Sequence, residues 1–274
     1  MSLPSLVIGK TSQLSQYFPN EFVKISSRNL NLDELSKQRW GTVFLCFAEQ
    51  RTYLANSKED SVENLFWNIN KNLVEEVIQC LTNVSDKIIY YSTAELWNKC
   101  NGEICLDLPF DFHSNHYTNS KCVITRELQN KEKYPKVSIA YPFNFNSTHR
   151  SDQYLFGKVF KSILTGEKIT VGDIDYYREL LHPEMVVHAS MYYTEQGKDL
   201  IIGSGRLVHI GDFIRRLYEF FGMRFDSMVK QEYNSLSIYR SNIFYSSTHV
   251  PEYDERKLFN IITRELAEIK GRTL

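Results

Sequence analysis

Stretches of almost unbroken apolar residues, each followed by a segment of helical periodicity, set the strongest limit on the architecture of this chain. Leu3–Ile8, Thr42–Ala48, Lys87–Tyr91 and Val137–Ala140 lack the alternation that a strand with one wet face requires. Strands apolar on both faces and separated by helices form a parallel sheet covered on both sides. Between them the pattern predicts a helix over Thr11–Phe18 stopped before Pro19, a strand over Glu21–Ser26, a helix over Leu32–Gln38 and another over 114–129. The clearest helix covers 61–81, where Val62, Leu65, Phe66, Ile69, Leu73, Val77 and Leu81 recur at three- and four-residue steps.

After Phe143 the rhythm changes. Helices are expected over 152–164, 183–194, 209–221 and 255–270, with short extended pieces at 168–171, 199–202 and 236–245. This describes a smaller, mixed lobe interleaved with the last strands of the main sheet. At 274 residues with 42% hydrophobic residues the chain buries a sizeable core without staples. A formal net charge of −1 supplies no field for nucleic acid or an anionic membrane surface. No apolar run approaches the roughly 18 residues of a membrane span, and Met1–Ser5 lacks the features of a signal peptide. A cytoplasmic protein is expected. Its five cysteines, odd in number and without paired metal-ligand spacing, are expected to be reduced thiols, with Cys46, Cys80 and Cys122 buried. The seven histidines show no ligand pairing either, so no metal is expected.

Ligands of open parallel sheets sit beyond the carboxyl ends of the strands. Here the first strand-to-helix turn reads Gly9-Lys10-Thr11-Ser12-Gln13-Leu14-Ser15. Gly9 stands where backbone must approach a pyrophosphate; Ser12 and Ser15 replace two further glycines, each able to offer a hydroxyl to a phosphate. Gly9, Thr11, Ser12, Gln13 and Leu14, with Ala48 at the end of the third strand, are the candidate cofactor contacts. Arg28 follows the second strand, and no Asp or Glu lies between Lys24 and Leu32. An arginine there accommodates a 2′-phosphate, which favours NADP over NAD.

A stronger constellation is Tyr117-Thr118-Asn119-Ser120-Lys121. Residues four apart on a helix share a face, and a nearby ammonium favours the phenolate. A phenol tuned in this way exchanges protons with a sugar hydroxyl or carbonyl. Upstream, the strand ending in Tyr91-Ser92-Thr93 brings hydroxyls to the same edge as the glycine turn. Glycine turn, strand-end hydroxyl and Y-x-x-x-K, in this order, resemble the short-chain dehydrogenase/reductase superfamily, and its extended, nucleotide-sugar branch most of all. Ser92-Thr93-Ala94-Glu95-Leu96-Trp97 resembles the S-T-x-E-L-Y of GDP-mannose 4,6-dehydratases, and 143–150 their F-N-H-E-S-P-R-R. Gly9-Lys10-Thr11 with Gln13 is similar to the G-K-T-G-Q of dTDP-4-dehydrorhamnose reductases. Arg178 precedes Leu181-His182-Pro183 where the branch carries R-D-W/F-x-H, and Gly203-Ser204-Gly205 matches its late G-x-G.

The resemblance implies a Rossmann-like doubly wound α/β domain over 1–145 and a smaller mixed α/β substrate lobe over 146–274. Tyr117 would be the acid/base on the sugar 4-hydroxyl, and Lys121 would tune it and bind the cofactor ribose. Thr93 would hydrogen-bond the reacting oxygen, and Glu95 would take the C5 proton in a dehydratase. Asn144 and Arg178 would bind the diphosphate or the sugar, and Asn68 would be the superfamily's structural asparagine. The chain departs from the pattern in its missing glycines and at Ala94, which cannot be an acid. The implied function is an NAD(P)-dependent 4,6-dehydratase, epimerase or 4-keto reductase of a nucleotide diphosphate sugar. The alternative is a catalytically weakened dinucleotide-binding regulatory or scaffold protein of the same fold, motivated by the eroded turn. No G-x-S-x-G elbow or P-loop supports an unrelated hydrolase or transferase. His113 and His116 read as solvated loop residues near Tyr117, and Tyr154, Phe156, Phe160, Tyr176 and Tyr177 as core of the smaller lobe. The apolar stripe on 61–81 is compatible with a homodimer of the kind the branch forms.

Overall fold

Strands that are apolar on both faces demand cover on both faces, and they receive it. A computed structural model of the protein describes residues 3–112, 115–232, 244–246 and 253–271. The described chain divides into two units: Met1–Trp97, Leu106–Pro142 and Val187–Ile201 form the first, and Asn98–Cys105, Phe143–Val186 and Ile202–Leu274 the second.

The first unit is built on a six-stranded sheet of β1 (Leu6–Ile8), β2 (Val23–Ile25), β3 (Trp40–Leu45), β4 (Ser85–Tyr91), β5 (Val137–Pro142) and β6 (Leu200–Ile202), in the order β2-β1-β3-β4-β5-β6. The β2–β1, β1–β3, β3–β4 and β4–β5 pairs are parallel. Leu6, Val7, Ile8, Val43, Ile88, Ile89 and Tyr90 are wholly buried. The edge strand β2 leaves Val23 exposed, which its Val-Lys-Ile sequence tolerates. From β1 the chain steps out to β2 and then crosses to β3 on the other side of β1. The carboxyl ends of β1 and β3 therefore flank the topological reversal, where such sheets bind ligands.

Helices α1 (Leu32–Ser36), α2 (Asp60–Trp67), α3 (Leu73–Leu81) and α4 (His116–Leu128) accompany this sheet. The helix predicted over 61–81 contains a π-turn at Asn68–Asn72 that joins α2 to α3. That turn changes which asparagine points inward. Asn70 is wholly buried, whereas Asn68, expected to be the inward-facing asparagine, is exposed and bonds to Asn72. Helix α4 starts where Asn115 accepts the Thr118 N–H (2.7 Å), a side-chain N-cap. It is locked to the end of β4 by Ser92 and Thr125, whose hydroxyls lie 2.7 Å apart.

One expected helix is largely missing. Thr11–Phe18 forms only a three-residue 3-10 turn, Leu14–Gln16. The Ser15 hydroxyl donates to the Gly9 carbonyl (2.7 Å) and the Ser15 N–H to the Ser12 hydroxyl (3.2 Å). Local side-chain bonds thus take up backbone groups that a helix needs, and Pro19 lies too close to allow extension.

In the second unit, helices Leu155–Thr165, Ile210–Phe220 and Glu255–Ile269 meet through Phe156, Phe160, Phe213 and Phe259, with Phe156 and Phe213 centroids 6.0 Å apart. Of the aromatic set expected in this core, Phe156 and Phe160 are buried, Tyr154 and Tyr176 are half-buried and Tyr177 is exposed. The wholly buried His182 accepts the Glu184 N–H at Nδ1 (3.2 Å), and its Nε2 lies 3.1 Å from a Glu265 carboxylate oxygen. Of the extended piece expected at 236–245 only its end falls in a described strand, Phe244–Ser246; 236–243 lie outside the described residues. Among the described residues no helix is long and apolar enough to cross a membrane. All five cysteines are free thiols; Cys46 and Cys122 are buried, while Cys80 is only half-buried.

Gly9 has φ +108°, and a Cβ there would lie 2.9 Å from both the Cys46 carbonyl carbon and the Phe47 nitrogen. Gly102 has φ +90° but open space around it. Gly9→Ala should therefore lose clearly more stability than Gly102→Ala, whose cost is the roughly 1–2 kcal/mol of an unfavourable backbone region alone. Urea melts of the two variants check this, and equal losses would contradict the packing of the turn on β3.

Candidate active site

Burying a lysine ammonium is expensive unless something replaces its water. Lys121, on the second turn of α4, is 2% exposed. Its Nζ donates to the Tyr91 carbonyl (2.8 Å) and sits 4.7 Å from the centroid of the Tyr90 ring. A carbonyl and a π-face replace hydration only in part, so burial pulls its pKa down from 10.5 to about 7. One helical turn earlier, on the same face, stands Tyr117, half-buried with its ring edge-on to Phe66 (6.5 Å). Burial holds the neighbouring phenols of Tyr90, Tyr91 and Tyr141 protonated by pushing their pKa values up. Tyr117 is the tyrosine of this group with access to solvent.

The carboxyl end of β4 supplies the next two candidates. Thr93 is buried, and its hydroxyl accepts the Glu95 N–H (3.2 Å), which starts the 3-10 turn Ala94–Trp97. Trp97 anchors that turn: its indole N–H donates to the Leu108 carbonyl (2.8 Å) and its ring packs on Phe110 and Tyr141. Glu95 is left half-buried beside Thr93. This turn packs on α4, so Thr93, Glu95, Tyr117 and Lys121 come from adjoining elements of one unit.

A polar network missed by the sequence analysis supports them. Asn70 accepts the Glu49 N–H (2.7 Å) and donates to the Glu49 carbonyl (3.1 Å) and the Ser120 hydroxyl (3.2 Å). Ser120 in turn donates to the Tyr117 carbonyl (2.9 Å). The loop after β3 is thereby tied to the first turn of α4. The Glu49 carboxylate, 8% exposed, is gripped by Arg51 Nε and Nη2 at 2.8 and 2.7 Å. Burial works against that charge, but the Arg51 contacts outweigh it and hold the carboxyl below its ordinary pKa. An acidic residue directly after an apolar strand, with arginine two positions on, was the available signal.

At the reversal point the backbone of Gly9 bonds across to β2, with its own N–H and that of Lys10 both reaching the Ile25 carbonyl (2.9 Å each). Thr11 is exposed, Ser12 and Gln13 are half-buried, Leu14 is buried and Ala48 is half-buried past β3. Ser15 is not a phosphate donor: it is 1% exposed and bonded to the Gly9 carbonyl. The Ser12 hydroxyl is shared with Ser15 (2.9 Å). Gly9 is required by the close approach of this turn to the Cys46 and Phe47 backbone, and the three-residue turn that follows supplies no helix dipole for an anion. Arg28 is exposed just beyond β2, its N–H bonded to the Ser26 hydroxyl (3.1 Å). His116 is not solvated, because Nε2 donates to the Ser57 carbonyl (2.8 Å); His113 lies outside the described residues.

Asn144 and Arg178 belong to the second unit. Asn144 pairs with Leu180 in a two-stranded parallel ladder, and Arg178 pairs with Val208 in an antiparallel one. The Arg178 guanidinium lies 5.2 Å from the Tyr176 ring and 5.9 Å from that of Phe244.

A lysine whose folded pKa is depressed prefers to be neutral in the folded state. Between about pH 7 and 10 the unfolded chain binds the extra proton, so the contribution of Lys121 to stability grows as pH rises and is lost as pH falls through 7. Relative to Lys121→Met, the wild-type protein should gain up to about 1.4 kcal/mol per pH unit across this window. Denaturant melts at pH 7, 8 and 9 measure it; a flat difference would mean that Lys121 is not buried.

No protein-family model matches the chain, and no curated protein matches it by sequence. Solved structures do match in fold. UDP-glucuronic acid 4-epimerase from Bacillus cereus, with UDP-glucuronic acid and NAD, is similar at TM-score 0.78 and 14% identity, over 97% of this chain and 100% of that one. DesIV from Streptomyces venezuelae, a dTDP-glucose 4,6-dehydratase with NAD and TYD bound, gives 0.75 and 15% over 98% of each chain. RMD from Pseudomonas aeruginosa, complexed with NADPH, gives 0.73 and 16% over 98% of each. The chain shares the doubly wound, Rossmann-type fold of these structures, with its glycine turn at the reversal of the parallel sheet and Thr93 and the Tyr117/Lys121 helix in the same unit.

Proposed function

We propose that the protein is a nicotinamide-dinucleotide-dependent enzyme that remodels the sugar of a nucleotide diphosphate sugar through oxidation or reduction at C4. The observation that carries this reading is Lys121, buried with no carboxylate partner among the described residues, one turn from a half-buried tyrosine on a helix that packs on the turn after Thr93. In this reading Thr93 orients the reacting oxygen and Tyr117 holds or accepts its proton. Lys121 stabilises the phenolate as that proton leaves. The dinucleotide, when bound, supplies or accepts hydride. Gly9, Thr11, Ser12, Gln13, Leu14 and Ala48 line its path in this reading, and Arg28 favours its 2′-phosphorylated form. Glu95 favours 4,6-dehydration, the G-K-T turn a 4-keto reduction. Asn144 and Arg178 take the diphosphate or the sugar. The similar structures named above were solved with NAD or NADPH, two of them also with a nucleotide or nucleotide sugar, which supports both ligand classes.

A second reading, a dinucleotide-binding protein with weakened chemistry, draws on the eroded glycine turn and on the three-residue turn where a helix over Thr11–Phe18 was expected. Turnover separates the two. A panel of UDP-, dTDP- and GDP-sugars, followed at 340 nm and by mass, should show conversion: loss of water or no mass change without net absorbance change, or gain of two hydrogens with NADPH consumed. Tyr117→Phe should lower that rate by at least about 100-fold while leaving dinucleotide affinity within twofold. Undiminished turnover in the variant would remove Tyr117 from the mechanism. No turnover of any sugar, with dinucleotide still bound, would favour the second reading.

A further inference from the structure

Glu179 is wholly buried in the second unit, yet no cation among the described residues pairs with its carboxylate. Neutral donors hold it instead. Oε2 accepts the Ser204 N–H (2.5 Å), the Gly205 N–H (3.1 Å) and the hydroxyls of Ser204 and Ser246 (3.2 Å each), while Oε1 accepts the Ser246 N–H. Burial pushes its pKa up and these donors pull it back. The Gly203-Ser204-Gly205 turn exists to wrap this group: a Cβ on Gly203 would stand 2.6 Å from Oε2. Well-packed apolar residues generally match or exceed the stability that a buried charge provides. A carboxylate kept here is better explained by the geometry it imposes.

That geometry surrounds the two candidate ligand residues. Glu179 follows Arg178 and precedes Leu180, the ladder partner of Asn144. Its grip on Ser246 fixes the strand Phe244–Ser246, whose Phe244 ring lies 5.9 Å from the Arg178 guanidinium and 5.6 Å from the ring of Phe143, next to Asn144. We propose that Glu179 is a positioning residue that, by drawing the 203–205 turn and the 244–246 strand onto one carboxylate, presets Arg178 and Asn144 to receive the diphosphate of a nucleotide diphosphate sugar. This rests on the ligand class proposed above.

The test titrates the full chain separately with UDP, dTDP and GDP and with NADPH. In Glu179→Gln, whose amide turns two N–H groups toward a cluster of donors, the best-bound of the three diphosphates should weaken about tenfold or more. NADPH affinity should stay within twofold. Ser246→Ala, a milder change that keeps the carboxylate, should weaken the same diphosphate about threefold and carries the test if Glu179→Gln does not fold. During turnover, KM for the sugar nucleotide should rise with kcat little changed. Unaltered diphosphate binding in these variants, or parallel loss of diphosphate and NADPH, overturns the positioning role. Failure of the wild-type protein to bind any of the three diphosphates overturns the ligand class itself.

Discussion

A lysine ammonium held in the interior by one carbonyl and one aromatic face is costly, and the neighbouring structure packs around it. Tyr90 and Tyr91 close the carboxyl end of β4 beneath Lys121, and the Ser92–Thr125 hydroxyl pair pins α4 against that strand. Asn115 caps the helix and Ser120 bonds within its first turn, so Tyr117 is fixed on the same face. With no carboxylate among the described residues to stabilise it, the charge on Lys121 is weakly favoured and responsive to whatever binds beside it. A nearby phenolate, or the hydroxyls of a ribose, would restore the interactions that burial removed.

Much of this was legible in the amino-acid order because it rests on local pattern. The apolar runs at Leu3–Ile8, Thr42–Ala48 and Lys87–Tyr91 could not face water, and the Tyr117/Lys121 spacing placed both on one helix face. What escaped prediction depends on partners distant in sequence or on competition between local bonds. The helical pattern over 61–81 does not reveal that a π-turn rotates Asn70 inward in place of Asn68. Thr11–Phe18 has helical composition, but its serine hydroxyls bond to the turn itself. Glu179 looks like one acidic residue in a charged stretch until the turn at 203–205 and Ser246, 25 and 67 positions away, converge on it.

The two units handle negative charge by different means. In the first, the glycine turn packs on the Cys46–Phe47 backbone with only a three-residue turn behind it, so it offers an anion no helix dipole. In the second, backbone amides and hydroxyls surround the Glu179 carboxyl and hold it away from water, pulling down a pKa that burial raises. The same physics that makes an unpaired buried charge costly makes a fully bonded one rigid. Rigidity of that kind suits a site that must hold a ligand's phosphates in a set geometry.

The account depends most on Lys121 being buried with no carboxylate partner among the described residues. Carbon-13 NMR of its ε-methylene, assigned by comparison with Lys121→Met and followed from pH 5 to 11 in the ligand-free protein, measures this directly. A midpoint near pH 7 is the predicted result; a midpoint above about 10, where a solvated lysine titrates, would contradict it.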